Sequence, residues 1–384
     1  MDSKEFDLPP NRKGRNSLKW GKYEDSDVIP MWVADMDFKS PVPILDTVAD
    51  YQDYGNFGYG KTPSELVDLV VERCRTMYQW DIDGHWIVWL PGMVSALNVT
   101  CRALAEESSQ AIIQTPIYPP FLTASKNFGL SLTKIPLKLS ESRFTIDYTS
   151  LHALETNPGD LFMLCHPHNP VGTSFTRSEL DNLNEWINER ELYLCSDEIH
   201  CDLILEKDLT HIPPASLDEG ILNRSITLMA PSKTFNIAGF GCSFAIIPHP
   251  KLRSLFKKAM RGIVPDPPAL GFLLAASAYR EGEPWRANLI DYLRDNRDAA
   301  MSVLSELPFL IPYSPEATYL LWIDARNLPV EDPHKFFEEY GIGLSDGRDF
   351  DAPGFLRLNL GCSRALLMQA LSRMSDAVMG IAKQ

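Results

Sequence analysis

The sequence predicts an α/β fold in which a mostly parallel sheet is covered by helices and followed by a smaller α+β domain. Three features carry that expectation. Short apolar runs recur between residues 111 and 248, most closing on proline or polar residues, as strands buried on both faces do. Segments with apolar residues at helical spacing lie among them, which sets up strand–helix alternation. Beyond about residue 280 the alternation gives way to one long helical stretch and two further strand-like runs.

The elements follow in order. Residues 1–45 are irregular and punctuated by proline, as an arm packed on the rest of the chain is. SELVDLVVERCRTMY (64–78) and MVSALNVTCRALAE (93–106) carry helical periodicity. AIIQTP (111–116), LSLTKIPL (130–137) and DLFMLCHPHNP (160–170) predict strands. Thr176 and Glu179 have capping-box spacing at the head of the helix RSELDNLNEWINER. LYLCSDEIH (192–200), SITLMAPSK (225–233) and CSFAIIP (242–248) predict the next strands. REGEPWRANLIDYLRDNRDAAMSVLSEL (280–307) predicts one long helix, and ATYLLWIDA and GFLRLNLG predict strands of the smaller domain. The expected division is an N-terminal arm, part of the small domain, over 1–45, a large domain over 46–280 and a small C-terminal domain over 281–384.

Composition narrows the function classes. Of 384 residues, 45% are hydrophobic and 23% charged, the balance of an ordinary globular protein. A net charge of −15 argues against nucleic acid or an anionic membrane as partner, although a helix N-terminus can still take a small anion. Seven cysteines form no CxxC pair. Five sit among apolar neighbours, where a free thiol acts as a small core residue, and Cys195 and Cys201 with His200 lack the second ligand pair that a metal site needs. No metal is expected. The first residues hold no apolar signal region and no later segment reads as a membrane span, so a reducing cytoplasm is the expected compartment.

Ligands of parallel sheets sit at the carboxyl ends of the strands. Asn169, Asp197 and Lys233 each follow an apolar run there. Singly, each has a bland reading: a turn before Pro170, a helix cap, a solvated lysine. Together they place an amide, a carboxylate and an amine at three successive strand ends, which turns do not explain. Arg357 alternates with apolar neighbours in FLRLNLG, as a residue on an exposed strand face also does. Tyr118, before a proline pair, reads as a core tyrosine, and Tyr59, in a glycine-rich loop, as a surface aromatic.

NPVG (169–172), SDEIH (196–200) and SKTFNIAG (232–239) stand in the order used by the aspartate aminotransferase superfamily, the pyridoxal-phosphate enzymes of fold type I. The chain resembles that superfamily over essentially its whole length. LKW (18–20), IPMWVADMDF (29–38), FGYG (57–60), HPHNPVG (166–172), DEIHCDL (197–203) and LRLNLGCSR (356–364) resemble its MalY/PatB-type cystathionine β-lyase branch more closely.

The resemblance implies a seven-stranded sheet in the large domain and pyridoxal 5′-phosphate as cofactor. By the same resemblance, Lys233 condenses with the cofactor's aldehyde and later stands as base beside the substrate α-carbon. Asp197 would keep the pyridine nitrogen protonated, Asn169 would donate to the ring's phenolate oxygen, and Tyr118 would stack on its face. Met93 and Val94 would offer backbone N–H groups to the phosphate at a helix N-terminus, with Ser232 adding a hydroxyl. Tyr59 matches the tyrosine that reaches the phosphate from the neighbouring subunit, which implies a homodimer with shared sites. Arg357 would take the α-carboxylate of an amino-acid substrate, and the backbone at Ala34 and Asp35 would close the other side.

Departures from the superfamily pattern sharpen the reading. Ala230 stands where many members carry a phosphate-binding serine, and Gly241 where many carry an arginine. His200 replaces the tyrosine common three residues after the aspartate, as it does in the lyase branch. The implied activity is β-elimination from L-cystathionine or an S-substituted cysteine to a thiol, pyruvate and ammonia. The alternatives are an aminotransferase on the same scaffold and a regulator that uses the fold as a binding surface; retention of Lys233, Asp197, Asn169 and Arg357 argues against the regulator.

Overall fold

The computed structural model of the protein describes residues 3–383. Its central sheet has seven strands: Ile87–Leu90 (β1), Gln110–Thr115 (β2), Ser131–Pro136 (β3), Leu161–Cys165 (β4), Tyr193–Asp197 (β5), Ser225–Met229 (β6) and Ser243–Ile246 (β7). Their spatial order is β1-β7-β6-β5-β4-β2-β3. The pairings β2/β3, β2/β4, β4/β5 and β5/β6 are parallel, and only β7 runs against its neighbours β6 and β1.

Position in the sheet explains the run pattern. Every residue of β4, β6 and β7 is buried, whereas the edge strand β3 is largely open to solvent. Ile112, Phe162, Leu164, Leu194 and Phe244 fill the core on one face, and Ala111, Ile113, Met163, Cys195 and Leu228 fill that on the other. Two apolar faces leave no polar alternation to read along a strand. The helices Ser64–Tyr78, Met93–Leu104 and Arg177–Glu189 form where helical periodicity predicts them, the second closing two residues early. The Thr176 capping box is present: Thr176 Oγ1 accepts from Glu179 N at 3.3 Å, and Glu179 Oε2 accepts from Thr176 N at 2.7 Å.

The long helix expected over 280–307 is present, shorter by three residues at each end. The chain forms Glu283–Leu304, preceded by a separate helix Ala269–Glu281 for which the sequence reading assigned no element. Gly282 joins them because nothing larger fits: a Cβ there would lie 2.4 Å from Ala278 O and 2.5 Å from the Phe235 ring. Pro284 starts the second helix, where its missing N–H costs no hydrogen bond. The earlier helix buries seven of its thirteen residues, so its periodicity is blurred by apolar residues all round.

The smaller sheet consists of Ile311–Tyr313 (β8), Leu320–Asp324 (β9), Ser345–Asp346 (β10) and Phe355–Asn359 (β11), antiparallel in the order β8-β9-β11-β10. The N-terminal arm is built into this unit. Ile29–Pro30 pairs in parallel with Ile342–Gly343, and Phe6, Met31, Met36 and Phe38 share one core with Leu320 and Leu356. Lys19, fully buried, reaches Asp37 at 2.9 Å. All seven cysteines are buried and unpaired. Cys195 Sγ lies on Thr100 and Cys201 Sγ on Tyr78, so the two thiols face different parts of the core. Among the described residues no helix is long and apolar enough to cross a membrane.

The capping box yields a stability test. Thr176→Ala removes one side-chain acceptor from an orphan N–H at the helix start, and a loss of about 1 kcal/mol is expected. A lower urea midpoint with unaltered steady-state activity is the predicted outcome, and an unchanged midpoint would show that solvent caps the helix equally well.

Candidate active site

A cavity of about 670 Å³ opens at the carboxyl ends of β4, β5 and β6, where the large sheet faces the smaller one. Asn169, Asp197 and Lys233 all line it, together with Met93, Val94, Tyr118, His200, Ser232, Ala34 and Arg357. Ten of the twelve residues singled out from the sequence therefore converge. The Asp35 side chain turns away to Arg12, 2.6 Å distant. Tyr59 lies outside the cavity and is fully exposed.

Lys233 leaves the end of β6 through Ala230, Pro231 and Ser232, so the strand itself aims it at the cavity. Its Nζ donates to the Ala34 carbonyl at 2.6 Å. Burial brings the amine down to about 8, helped by the cation of Arg357 and opposed by Asp35 and Asp197. An amine near neutrality is divided between its charged and nucleophilic forms.

Asp197 ends β5 and is 2% exposed, with Ile199 N donating to its Oδ1 at 3.2 Å. Burial pushes the carboxyl up to about 7, against the backbone N–H and Lys233. A carboxylate so deprived of solvent stays charged only if a cation is brought to it. His200 is also buried. Desolvation first, then the cations of Lys233 and Arg357, lower it to about 3, so its ring is neutral beside the amine.

Arg357 stands in the middle of β11 and is 4% exposed, which removes the exposed-face reading. Its Nη1 donates to Asn169 Oδ1 at 2.9 Å and its Nη2 to Trp32 O at 2.9 Å and Ser345 Oγ at 3.2 Å. The guanidinium lies 4.6 Å from the Phe350 ring centre, a cation–π contact. Burial lowers even this group, to about 10. Its Nε is buried with no partner among the described residues. An orphan donor on a buried cation is what an incoming carboxylate would satisfy.

The helix Met93–Leu104 begins at Gly92 with no side-chain cap. Its first-turn N–H groups have no intrahelical acceptor and stand on the positive end of the helix dipole. Gly241 accounts for the absent arginine. Its φ is +53°, and a Cβ there would come within 2.7 Å of the Pro91 carbonyl, so this backbone admits no side chain at that position.

The residues fit pyridoxal phosphate. An uncapped helix start lies ready for the phosphate, a desolvated carboxylate for the ring nitrogen, and an amine near neutrality for the aldehyde, with Tyr118 on the wall. Asn169 Oδ1 accepts from Arg357, which leaves the amide nitrogen free to donate to the ring oxygen, the role the resemblance implies. The sequence reading missed Tyr319, whose hydroxyl donates to Ala34 O at 3.0 Å, and Ser345. Neither carries a local signal. Ser345 reaches Arg357 because β10 and β11 pair the two residues directly.

The class I and II aminotransferase model matches residues 26–374. Cystathionine beta-lyase PatB of Bacillus subtilis is 35% identical, covering 97% of this chain and 99% of that protein. The crystal structure of OvoB superposes with a TM-score of 0.95 at 44% identity, covering 97% of this chain and 98% of the other. Cystalysin from Treponema denticola, whose structure contains pyridoxal 5′-phosphate, superposes with a TM-score of 0.90 at 31% identity, covering 98% and 99%. The model spans nearly the whole chain, and the cavity holds its chemistry at the strand ends: this protein belongs to the class I and II aminotransferase family.

Proposed function

We propose that this protein is a pyridoxal-phosphate-dependent carbon–sulfur β-lyase acting on L-cystathionine or another S-substituted L-cysteine. One observation carries the reading: a lysine amine brought near neutrality shares one cavity with a buried arginine whose Nε has no partner among the described residues. The full-length likeness to cystathionine beta-lyase PatB supports elimination as the outcome.

When bound, pyridoxal phosphate supplies an aldehyde and an electron-withdrawing ring. Lys233 would hold the aldehyde carbon, Asp197 the protonated ring nitrogen, Asn169 the ring oxygen, Tyr118 and His200 the ring's surroundings, and Met93, Val94 and Ser232 the phosphate. Arg357 binds the substrate α-carboxylate through charge-assisted hydrogen bonds and so fixes the α-carbon. The backbone of Ala34 and Asp35 closes the opposite wall. Lys233, once free, takes the α-proton as general base. The β-carbon then loses its sulfur substituent as a thiolate, leaving a carbon–carbon double bond. Water replaces the amino group of the released enamine, giving pyruvate and ammonia. Neutral His200 adds no positive charge against Lys233.

We further propose a homodimer. Tyr59 is wholly exposed on a loop outside its own cavity, beside exposed Phe57 and Tyr54, an arrangement suited to reaching a neighbouring subunit's phosphate.

Cofactor-stripped protein should capture pyridoxal phosphate, read as a new visible absorbance, at a rate that rises with pH through about 8, because only the neutral amine attacks. Lys233→Ala should abolish that band and lower turnover by at least about 10²–10⁴; retained colour or activity would remove Lys233 from the mechanism.

S-substituted cysteines and L-cystathionine should turn over repeatedly without added keto acid, releasing thiol and pyruvate, while alanine and aspartate react only stoichiometrically. Faster turnover of aspartate with 2-oxoglutarate than of cystathionine would make the protein an aminotransferase.

Mixing Lys233→Ala with Tyr59→Phe protein should form hybrid dimers with one intact site and raise activity above the mean of the parents. Full activity in a verified monomer would refute the shared site.

A further inference from the structure

The loop Met31–Phe38 forms the wall opposite β6, and side chains from distant elements hold it by its carbonyls. Trp32 O accepts from Arg357 and Ser345, and Ala34 O from Lys233 and Tyr319. Val33 O and Asp35 O both accept from Asn359 Nδ2, at 2.6 and 2.7 Å, and Met36 O and Phe38 O from Asn236. These donors sit on the rigid strand β11, on the smaller sheet and just after Lys233.

The arm adds ionic tethers, from Arg12 to Asp35 and Asp37 and from Lys19 to Asp37. Arg12 grips Asp35 with both terminal nitrogens, Nη1 to Oδ1 at 3.0 Å and Nη2 to Oδ2 at 2.6 Å. The same Nη1 reaches Asp37 Oδ1 at 2.8 Å and Met36 O at 3.2 Å. Asp37 has other support, from Lys19 and the Trp20 indole. Among the described residues, Arg12 alone donates to the Asp35 carboxylate.

Asp35 follows Ala34, whose carbonyl is 2.6 Å from the Lys233 amine. Of the charges acting on that amine, Asp35 is the largest, ahead of Arg357 and Asp197. His200, Tyr118 and Tyr319 also face this region, the first neutral and the two phenols held protonated by burial.

We infer that Arg12 is a positioning residue of the active site: it holds the Met31–Phe38 loop against Lys233 and screens the amine from the Asp35 carboxylate. This rests on the reading of Lys233 as the reacting amine. The planar fork matters, because one guanidinium spans two carboxylates and a carbonyl at once. Without it, Asp35 keeps its charge but loses its counter-ion, and the Lys233 ammonium is stabilised. Without the Asp35 charge, the ammonium loses its strongest attraction.

The test compares wild type with Arg12→Met, Arg12→Lys and Asp35→Asn, all full-length. Two quantities are read: the pH midpoint of pyridoxal phosphate capture by cofactor-stripped protein, and amide hydrogen exchange across residues 31–38. Arg12→Met should move the midpoint up and Asp35→Asn should move it down, each by on the order of one pH unit. Arg12→Lys should restore most of the midpoint, because it keeps the charge. Exchange should quicken in Arg12→Met within this loop but not in β4 or β5. A general loss of structure would move both midpoints the same way. Midpoints that move together, or unchanged exchange, overturn the proposal. If no variant and no wild type captures the cofactor, the Lys233 reading fails, and the exchange data still decide whether Arg12 holds the loop. Should Arg12→Met not fold, Asp35→Asn and Arg12→Lys carry the comparison.

Discussion

An amine and a guanidinium held in one small cavity, both largely out of water, set the constraint on which this structure depends. Lys233 and Arg357 repel each other and each loses hydration, so the fold must return what water would have supplied. It does so asymmetrically. Arg357 receives Asn169, Trp32 O, Ser345 and the face of Phe350, and is fixed. Lys233 receives one carbonyl and two carboxylates at a distance, and keeps a labile proton. A buried arginine serves for binding and a lysine brought near neutrality for reaction.

That asymmetry dictates the architecture around it. Parallel strands end together, so Asp197 at the end of β5 and Asn169 and Lys233, each four residues past the ends of β4 and β6, meet over one edge of the sheet. The opposite wall must carry Arg357, and β11 provides it from a second sheet packed across the cleft. Neither sheet closes the site. The arm does so, and its carbonyls meet donors from both sheets, which makes the Met31–Phe38 loop the seam of the molecule. Burying Lys19 against Asp37 in that seam is costly unless the pair is well satisfied, and Trp20 and Arg12 complete it.

The glycine at position 241 shows how the backbone limits chemistry. Its left-handed conformation against Pro91 leaves no room for a side chain, so what this end of the cavity offers an anion is the uncapped helix start at Met93 and Val94, with Ser232 beside it. An anion at an uncapped helix terminus needs no buried cation when the dipole and several N–H groups act together.

Much of this was legible in the residues themselves. Apolar runs without alternation announce strands buried on both faces, and polar residues just beyond them announce strand ends; those are local properties of the chain. The order of amide, carboxylate and lysine, with the motifs around them, sufficed to mark the fold and three residues that line one cavity. Arg357 was visible as an oddity, but β11 looks the same whether its arginine faces water or a cavity, and only packing against Asn169 and Trp32 decides. The paired helices about Gly282 were hidden because the first is apolar on all sides, and the reason for a glycine there lies in Ala278 and Phe235. Tyr319, Ser345 and the grip of Arg12 on Asp35 had no signal at all, since each contact joins elements far apart in sequence. Residue chemistry and periodicity are written in the chain; which charge faces which across a cleft is a matter of register and approach, and those exist only in the folded molecule.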